Sequence, residues 1–171
     1  NEYSKICKKY PNFNYAFKLQ YRQLDTFIHK EFKDRFDLSY IKRFQETKLK
    51  HQDFNAMINC IKKNDFFSMV TAFDNESYNL IEKQEIDILK IASCSFGDWP
   101  LLESAVKLNL PIIASTAGAS LDTLDNVISF FTNRDKEFAI MHCVAQYPTP
   151  DKNMNLSQID FLKKRYADVR V

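Results

Sequence analysis

Asp87-Ile88-Leu89-Lys90-Ile91-Ala92-Ser93 is a short run, apolar at almost every position, with one lysine at its centre. A strand covered on one face alternates apolar and polar residues. A nearly continuous apolar run of this length suits a strand covered on both faces, as in a parallel sheet. Phe66–Phe73, Leu110–Thr116 and Phe138–Ala145 read the same way. Asn14–Gln20 reads as an earlier strand, and Val169–Val171 as the start of a later one.

Helical patterns lie between these runs. Ser120 is placed to cap a helix with Asp122 and Asp125 near its start. Leu121, Leu124, Val127, Ile128 and Phe131 form its apolar stripe. Asp98 is placed to cap a second helix, with Pro100 in the first turn and Leu101, Leu102, Ala105, Val106 and Leu108 following. Asn155 or Ser157 is expected to open the helix that carries Ile159 and Leu162, and Glu2–Tyr10 reads as a helix with no strand before it. Alternation of strand and helix makes the class α/β with parallel strands. About six candidate strands stand against the eight of a closed barrel, which takes roughly 250 residues. The expectation is therefore a (β/α)8 TIM-type barrel truncated at both ends, residues 1–171 forming one partial domain. An open doubly wound sheet is the alternative.

Composition narrows the partners. The chain has 171 residues, 45% hydrophobic and 27% charged, with 24 Lys plus Arg against 22 Asp plus Glu. That balance gives no reason to expect nucleic acid or an anionic membrane as the main partner. No apolar run approaches the roughly 20 residues that span a bilayer, and a signal-peptide layout is missing. Cys7, Cys60, Cys94 and Cys143 are far apart and form no CxxC pair. They read as free, mostly buried thiols of a cytoplasmic protein.

Several residues carry candidate chemistry. Lys90 interrupts an otherwise apolar strand, where an ammonium is costly unless paired. It reads either as an inward lysine for an anionic ligand or as one that snorkels or pairs with a carboxylate. In Ala16-Phe17-Lys18-Leu19-Gln20, period two puts Lys18 and Gln20 on one face and Phe17 and Leu19 on the other. A barrel would turn the polar pair inward, and two inward lysines suit phosphate plus carboxylate. Lys18 and Lys90 are expected to share that anion site. Thr71, Ser93 and Ser115 with Thr116 place hydroxyls at strand ends, and Gly118 lets backbone N–H groups turn toward an anion. Each alone could be only a helix cap. His142 and Cys143 are expected on opposite strand faces, which argues against a nucleophilic pair, and a lone strand histidine is more often a hydrogen-bonded core residue. Residues 21–50, rich in charge and aromatics with poor periodicity, read as a long loop on the ligand side or as a surface insertion with no role. Tyr147-Pro148-Thr149-Pro150 is a stiff exit from the last clear strand.

In this order, Phe17-Lys18-Leu19-Gln20, Thr71-Ala72-Phe73-Asp74, Leu89-Lys90-Ile91-Ala92-Ser93, Pro111-Ile112-Ile113-Ala114-Ser115-Thr116, Met141-His142-Cys143 and Tyr147-Pro148-Thr149-Pro150 resemble the sialic acid synthase (N-acetylneuraminate synthase) family over nearly the whole chain. The resemblance implies a barrel that condenses phosphoenolpyruvate with an N-acetylated amino sugar and releases phosphate. It implies that Lys18, Thr71, Lys90, Ser93 and Ser115 hold phosphoenolpyruvate, and that Gln20 and Tyr147 line the sugar pocket. A divalent metal, manganese or magnesium, would activate the sugar aldehyde. The family's metal histidines are expected beyond Val171, leaving no metal ligand and no assigned catalytic residue in this chain. Residues 1–171 alone are expected to be inactive, and the full-length protein a homodimer. The family's Ser-Thr-Gly turn reads Ser115-Thr116-Ala117-Gly118 here, and Ser95 stands nearest to where an acidic residue is usual. The alternatives are a class I aldolase with Lys90 as the Schiff-base lysine, and a noncatalytic sugar-binding barrel.

Overall fold

The computed structural model describes residues 2–171. Its structure gathers into two compact units, one running to Asp87 and the other from Ile88 to Val171.

The first unit holds α1 (Glu2–Cys7), β1 (Ala16–Tyr21), α2 (Leu24–Phe27), α3 (Ser39–Glu46), α4 (His51–Lys63), β2 (Phe67–Ala72) and α5 (Asn75–Glu82). β1 and β2 run parallel, with Ala16 opposite Phe67 and Tyr21 opposite Ala72. Alternation then sorts the two faces. Leu19, Tyr21, Ser68, Val70 and Ala72 share one face and all are buried. Helices cover it: the Tyr21 ring lies 4.3 Å from that of Phe54 in α4, and its hydroxyl donates to Gln84 Oε1 beyond α5 at 2.8 Å. Lys18 and Gln20 stand on the opposite, exposed face. α4 follows its apolar spacing, burying Ile58 and Ile61, and Asp53 accepts the Lys50 N–H at its start. Asp74 caps α5 by accepting the Ser77 N–H at 2.8 Å. Ser68 donates both its N–H and its hydroxyl to Asp87, which ties the start of β2 to the end of this unit.

Residues 21–50 are not a featureless loop. They fold into α2, a 3₁₀ turn at Lys30–Phe32 and α3, around a small cluster of Leu24, Ile28 and Ile41 with Leu38 and Phe44 against it. The elements are too short for a sustained helical period to register in the sequence.

The second unit holds β3 (Ile88–Ile91), α6 (Trp99–Lys107), β4 (Ile112–Ser115), α7 (Leu121–Thr132), β5 (Phe138–Met141) and α8 (Ser157–Arg165). β3, β4 and β5 are parallel: Lys90 lies opposite Ile113, and Ser115 opposite Met141. Asp98 and Ser120 cap α6 and α7 as their positions suggest. α8 starts at Ser157 without a side-chain cap. Arg170 bridges in parallel to Ala139, the beginning of strand pairing expected at Val169–Val171. Arg165 and the Tyr166 hydroxyl both donate to Asp125, clasping α8 to α7. The strands stop short of the apolar runs because the chain bends at Ser93–Ser95 and beyond Met141.

The α/β class with parallel strands is thus as expected. The cysteines are not: all four are free, but Cys60 and Cys94 are exposed and Cys7 and Cys143 half-buried. No helix among the described residues is long and apolar enough to cross a membrane.

Candidate active site

In the second unit the site is built around Lys90. Leu89 and Ile91 turn to one side of β3 and are almost fully buried, so Lys90 projects to the other. It is only 8% exposed. Its Nζ donates to the Ile91 carbonyl at 2.7 Å and to Ser115 Oγ at 2.5 Å. Ser115 can be reached because it lies two residues beyond Ile113, the register partner of Lys90, on the same face of β4. Ser93, just past β3, accepts the Ala117 N–H on its Oγ at 3.2 Å. That bond pins the turn after β4, where Gly118 adopts φ +77°, a left-handed conformation open to glycine without strain. Lys90, Ser93 and Ser115 therefore meet at the C-terminal ends of two adjacent parallel strands. A hydroxyl that accepts from an ammonium or an N–H keeps its own proton to donate. The set is an ammonium with two hydroxyl donors, suited to phosphate or carboxylate oxygens.

In the first unit Lys18 and Gln20 lie along the exposed face of β1, and Thr71 lies opposite Gln20 on β2, nearly closed from solvent at 2% exposure. Desolvation, and then the nearby Arg22 guanidinium, hold the Lys18 pKa below the ordinary lysine value. Tyr147 is not gathered into a pocket; it is 93% exposed beyond β5.

His142 and Cys143 also lie beyond β5, so strand alternation does not separate them. Both border a cavity of about 590 Å³ with Gly118 and Phe161. One ring nitrogen of His142 is 2.8 Å from the Met154 carbonyl, the hydrogen-bonded role expected of it. Among the described residues no group of three or more His, Cys, Asp or Glu side chains could hold a metal ion. The residues present thus do not fit the divalent metal that the resemblance implies.

Arg22 was not singled out by its sequence position. It continues the Lys18, Gln20 alternation by one more step, and that period-two spacing is the signal that could have found it. Its Nη2 donates to Gln20 Oε1 at 3.0 Å.

Parallel strands with helices on one face, and lysine and hydroxyl groups at their C-terminal ends or on the uncovered face, define an α/β protein of the barrel-forming kind. The NeuB family model matches residues 14–171, and the chain belongs to that family. It is 31% identical over 123 residues to an N-acetylneuraminate-9-phosphate synthase of Drosophila melanogaster, covering 71% of this chain and 33% of that protein. It is 28% identical over 133 residues to an N,N'-diacetyllegionaminic acid synthase of Campylobacter jejuni, covering 76% of this chain and 40% of that protein. The crystal structure of a spore coat polysaccharide biosynthesis protein E from Chromobacterium violaceum superposes with a TM-score of 0.94 at 49% identity, covering 98% of this chain. This chain spans 49% of that one. The fold is accordingly that part of the family's barrel.

Proposed function

We propose that the protein to which this chain belongs condenses phosphoenolpyruvate with an N-acetylated amino sugar to a sialic-acid-like nonulosonate. The methylene carbon of phosphoenolpyruvate forms the new bond to the sugar aldehyde carbon, whose oxygen takes a proton to become a hydroxyl. Water adds to the neighbouring carbon that bears the phosphate, and inorganic phosphate leaves it as the ketone forms. The observation that carries the reading is the meeting of Lys90, Ser93 and Ser115 at the ends of β3 and β4. In this reading Lys90, Ser93 and Ser115, together with Lys18 and Thr71, hold the phosphate and carboxylate of phosphoenolpyruvate. Gln20 faces the sugar side, and Tyr147, which this chain leaves exposed, joins it by the family resemblance alone. Relatives named as neuraminate and legionaminic acid synthases support the nonulosonate class of product. In the intact protein a divalent metal, manganese or magnesium, would polarise the sugar aldehyde.

The aldolase alternative needs Lys90 as a neutral amine. The two bonds that Lys90 donates, to the Ile91 carbonyl and to Ser115 Oγ, are open to an ammonium and to a neutral amine alike, so trapping chemistry separates the two readings. The full-length protein, given phosphoenolpyruvate and a panel of N-acetylated amino sugars, should release phosphate and form a nonulosonate detected by mass spectrometry. Borohydride should trap no pyruvate adduct. Phosphate release with no sugar-dependent product, or a trapped adduct on Lys90, would overturn the reading.

A further inference from the structure

The uncovered face of β1 carries a three-residue polar row, Lys18, Gln20 and Arg22, of which only Arg22 is walled in by aromatic rings. Its guanidinium carbon lies 4.0 Å from the Phe73 ring centroid, 4.8 Å from that of Phe44 and 6.0 Å from that of Phe27. The rings also pack on one another: Phe27 meets Phe44 edge-on at 5.7 Å and Phe73 at 6.3 Å. Each ring comes from a different segment. Phe73 follows β2 at the position opposite Arg22 in the parallel register, as its N–H bond to the Tyr21 carbonyl shows. Phe27 ends α2, and Phe44 sits in α3. The folded segment 24–46 therefore places two of the three rings, and this ties the insertion to the ligand-facing row. The neighbouring backbone is anchored as well: Asp74 accepts the Gln23 N–H at 2.8 Å while capping α5.

A guanidinium stacked on aromatic faces has little freedom to turn, and every polar hydrogen it offers is a donor. The atom of Gln20 that meets Nη2 must therefore be the amide oxygen. The Gln20 NH2 group is left pointing away from Arg22.

We propose that Arg22 is a positioning residue, clamped by Phe27, Phe44 and Phe73, that fixes the Gln20 amide with its NH2 group presented to the sugar, so that this subsite takes an acceptor atom such as an acetamido carbonyl or hydroxyl oxygen. This rests on the reading of Gln20 as a sugar contact. A glutamine left to rotate could present either end, so it would select weakly between donor and acceptor groups. Anchored by Arg22 it selects acceptors only.

The test uses the full-length protein and two independent readouts. With phosphoenolpyruvate saturating, Arg22→Leu should raise KM for the preferred N-acetylated amino sugar about tenfold, the scale of one oriented hydrogen bond. KM for phosphoenolpyruvate should stay within about twofold, since a group acting only through Gln20 makes no contact with that substrate. Gln20→Ala should give the same sugar effect, and adding Arg22→Leu to it should change nothing further. Arg22→Lys keeps the charge and the fold but not the planar stack, and should fall between wild type and Arg22→Leu. The second readout needs no substrate: the side-chain amide signal of Gln20 in 15N-labelled protein should shift in both Arg22 variants while that of Gln158 stays put. An unmoved Gln20 signal overturns the proposal whatever the protein's substrate. Loss of phosphoenolpyruvate affinity in place of sugar affinity overturns it in favour of Arg22 as an anion contact. Sugar effects that add fully in the double variant overturn it too. Absence of any condensation activity would instead count against the synthase reading, and the amide signal would still decide the role of Arg22.

Discussion

Lys90 on β3 and Ser115 on β4 are joined by a 2.5 Å hydrogen bond between Nζ and Oγ, although 25 residues separate them in sequence. The bond exists because Ser115 lies past the register partner of Lys90 on the same sheet face, toward the strand ends. It fixes an ammonium whose long stem would otherwise sample many rotamers, and it turns the Ser115 hydroxyl into a donor aimed away from the lysine.

In the full-length protein Lys90→Ala should therefore weaken phosphoenolpyruvate binding far more than sugar binding. One charge-assisted bond to a partly desolvated anion is worth roughly 1.5–3 kcal/mol, or about ten- to a hundredfold in affinity. Lys90→Arg should not restore it, because a planar guanidinium does not fit the place of a buried point charge. Calorimetric affinities for both ligands, read beside melting temperatures, decide the matter. Equal losses for the two ligands, or a folding defect with unchanged phosphoenolpyruvate affinity, would remove Lys90 from the site.

Gly118→Ala should cost stability through the backbone alone. No heavy atom lies within 4 Å of the position an added Cβ would take, so there is no clash to relieve. The φ of +77° nevertheless disfavours any L side chain, by about 1–2 kcal/mol. Urea unfolding should show that loss. Gly118→Asn, which tolerates the left-handed region better, should lose less; an alanine variant as stable as wild type would show that the turn relaxes freely.

The parallel class and the polar row on β1 were legible in the sequence because period and burial are local properties. Leu19 is buried while Lys18 and Gln20 are exposed, and the alternation says so directly. Lys90 was legible for the opposite reason, as a single violation of an apolar run. The pairing of Lys90 with Ser115, and of Ser93 with the Ala117 N–H, depends on register between strands and could not be read from spacing. Arg22 was missed because its importance lies in Phe27, Phe44 and Phe73, three rings that become neighbours only when α2, α3 and the end of β2 come together. Tyr147 stood out by resemblance, yet it lies in solvent where the chain bends after β5.

Asp74 serves two segments at once, accepting the Ser77 N–H with one oxygen and the Gln23 N–H with the other. Asp74→Ala should destabilise the protein by roughly 1–3 kcal/mol, the sum of a lost helix cap and an N–H left without its acceptor. Asp74→Asn retains only one acceptor oxygen and should fall between. Chemical denaturation of the three proteins tests the order. Hydrogen exchange at the Gln23 amide should quicken in the alanine variant, and an unchanged rate there would show that the second bond contributes nothing.

Tyr21 gives the protein a pH dependence of known sign. Its side chain is almost fully buried between β1 and α4, and burial pushes the phenol up to about 12 from its usual 10.0. Between those values the unfolded chain has released the proton that the folded chain still holds, so stability must fall as pH rises. The contribution is complete below pH 10 and is lost toward pH 12, in total roughly 3 kcal/mol for a pKa raised from 10.0 to about 12. Lys18 works in the opposite sense: its lowered pKa means that stability is gained as pH climbs through the folded value. Comparing wild type with Tyr21→Phe cancels the Lys18 contribution and that of the other tyrosines. At pH 8 the phenylalanine variant should be less stable, having left Gln84 Oε1 without its donor. The gap between the two proteins should then narrow from pH 10 upward, as measured by urea midpoints. A gap that stays constant to pH 12 would show that Tyr21 ionises like an exposed phenol, and that the face of β1 toward α4 is open to water.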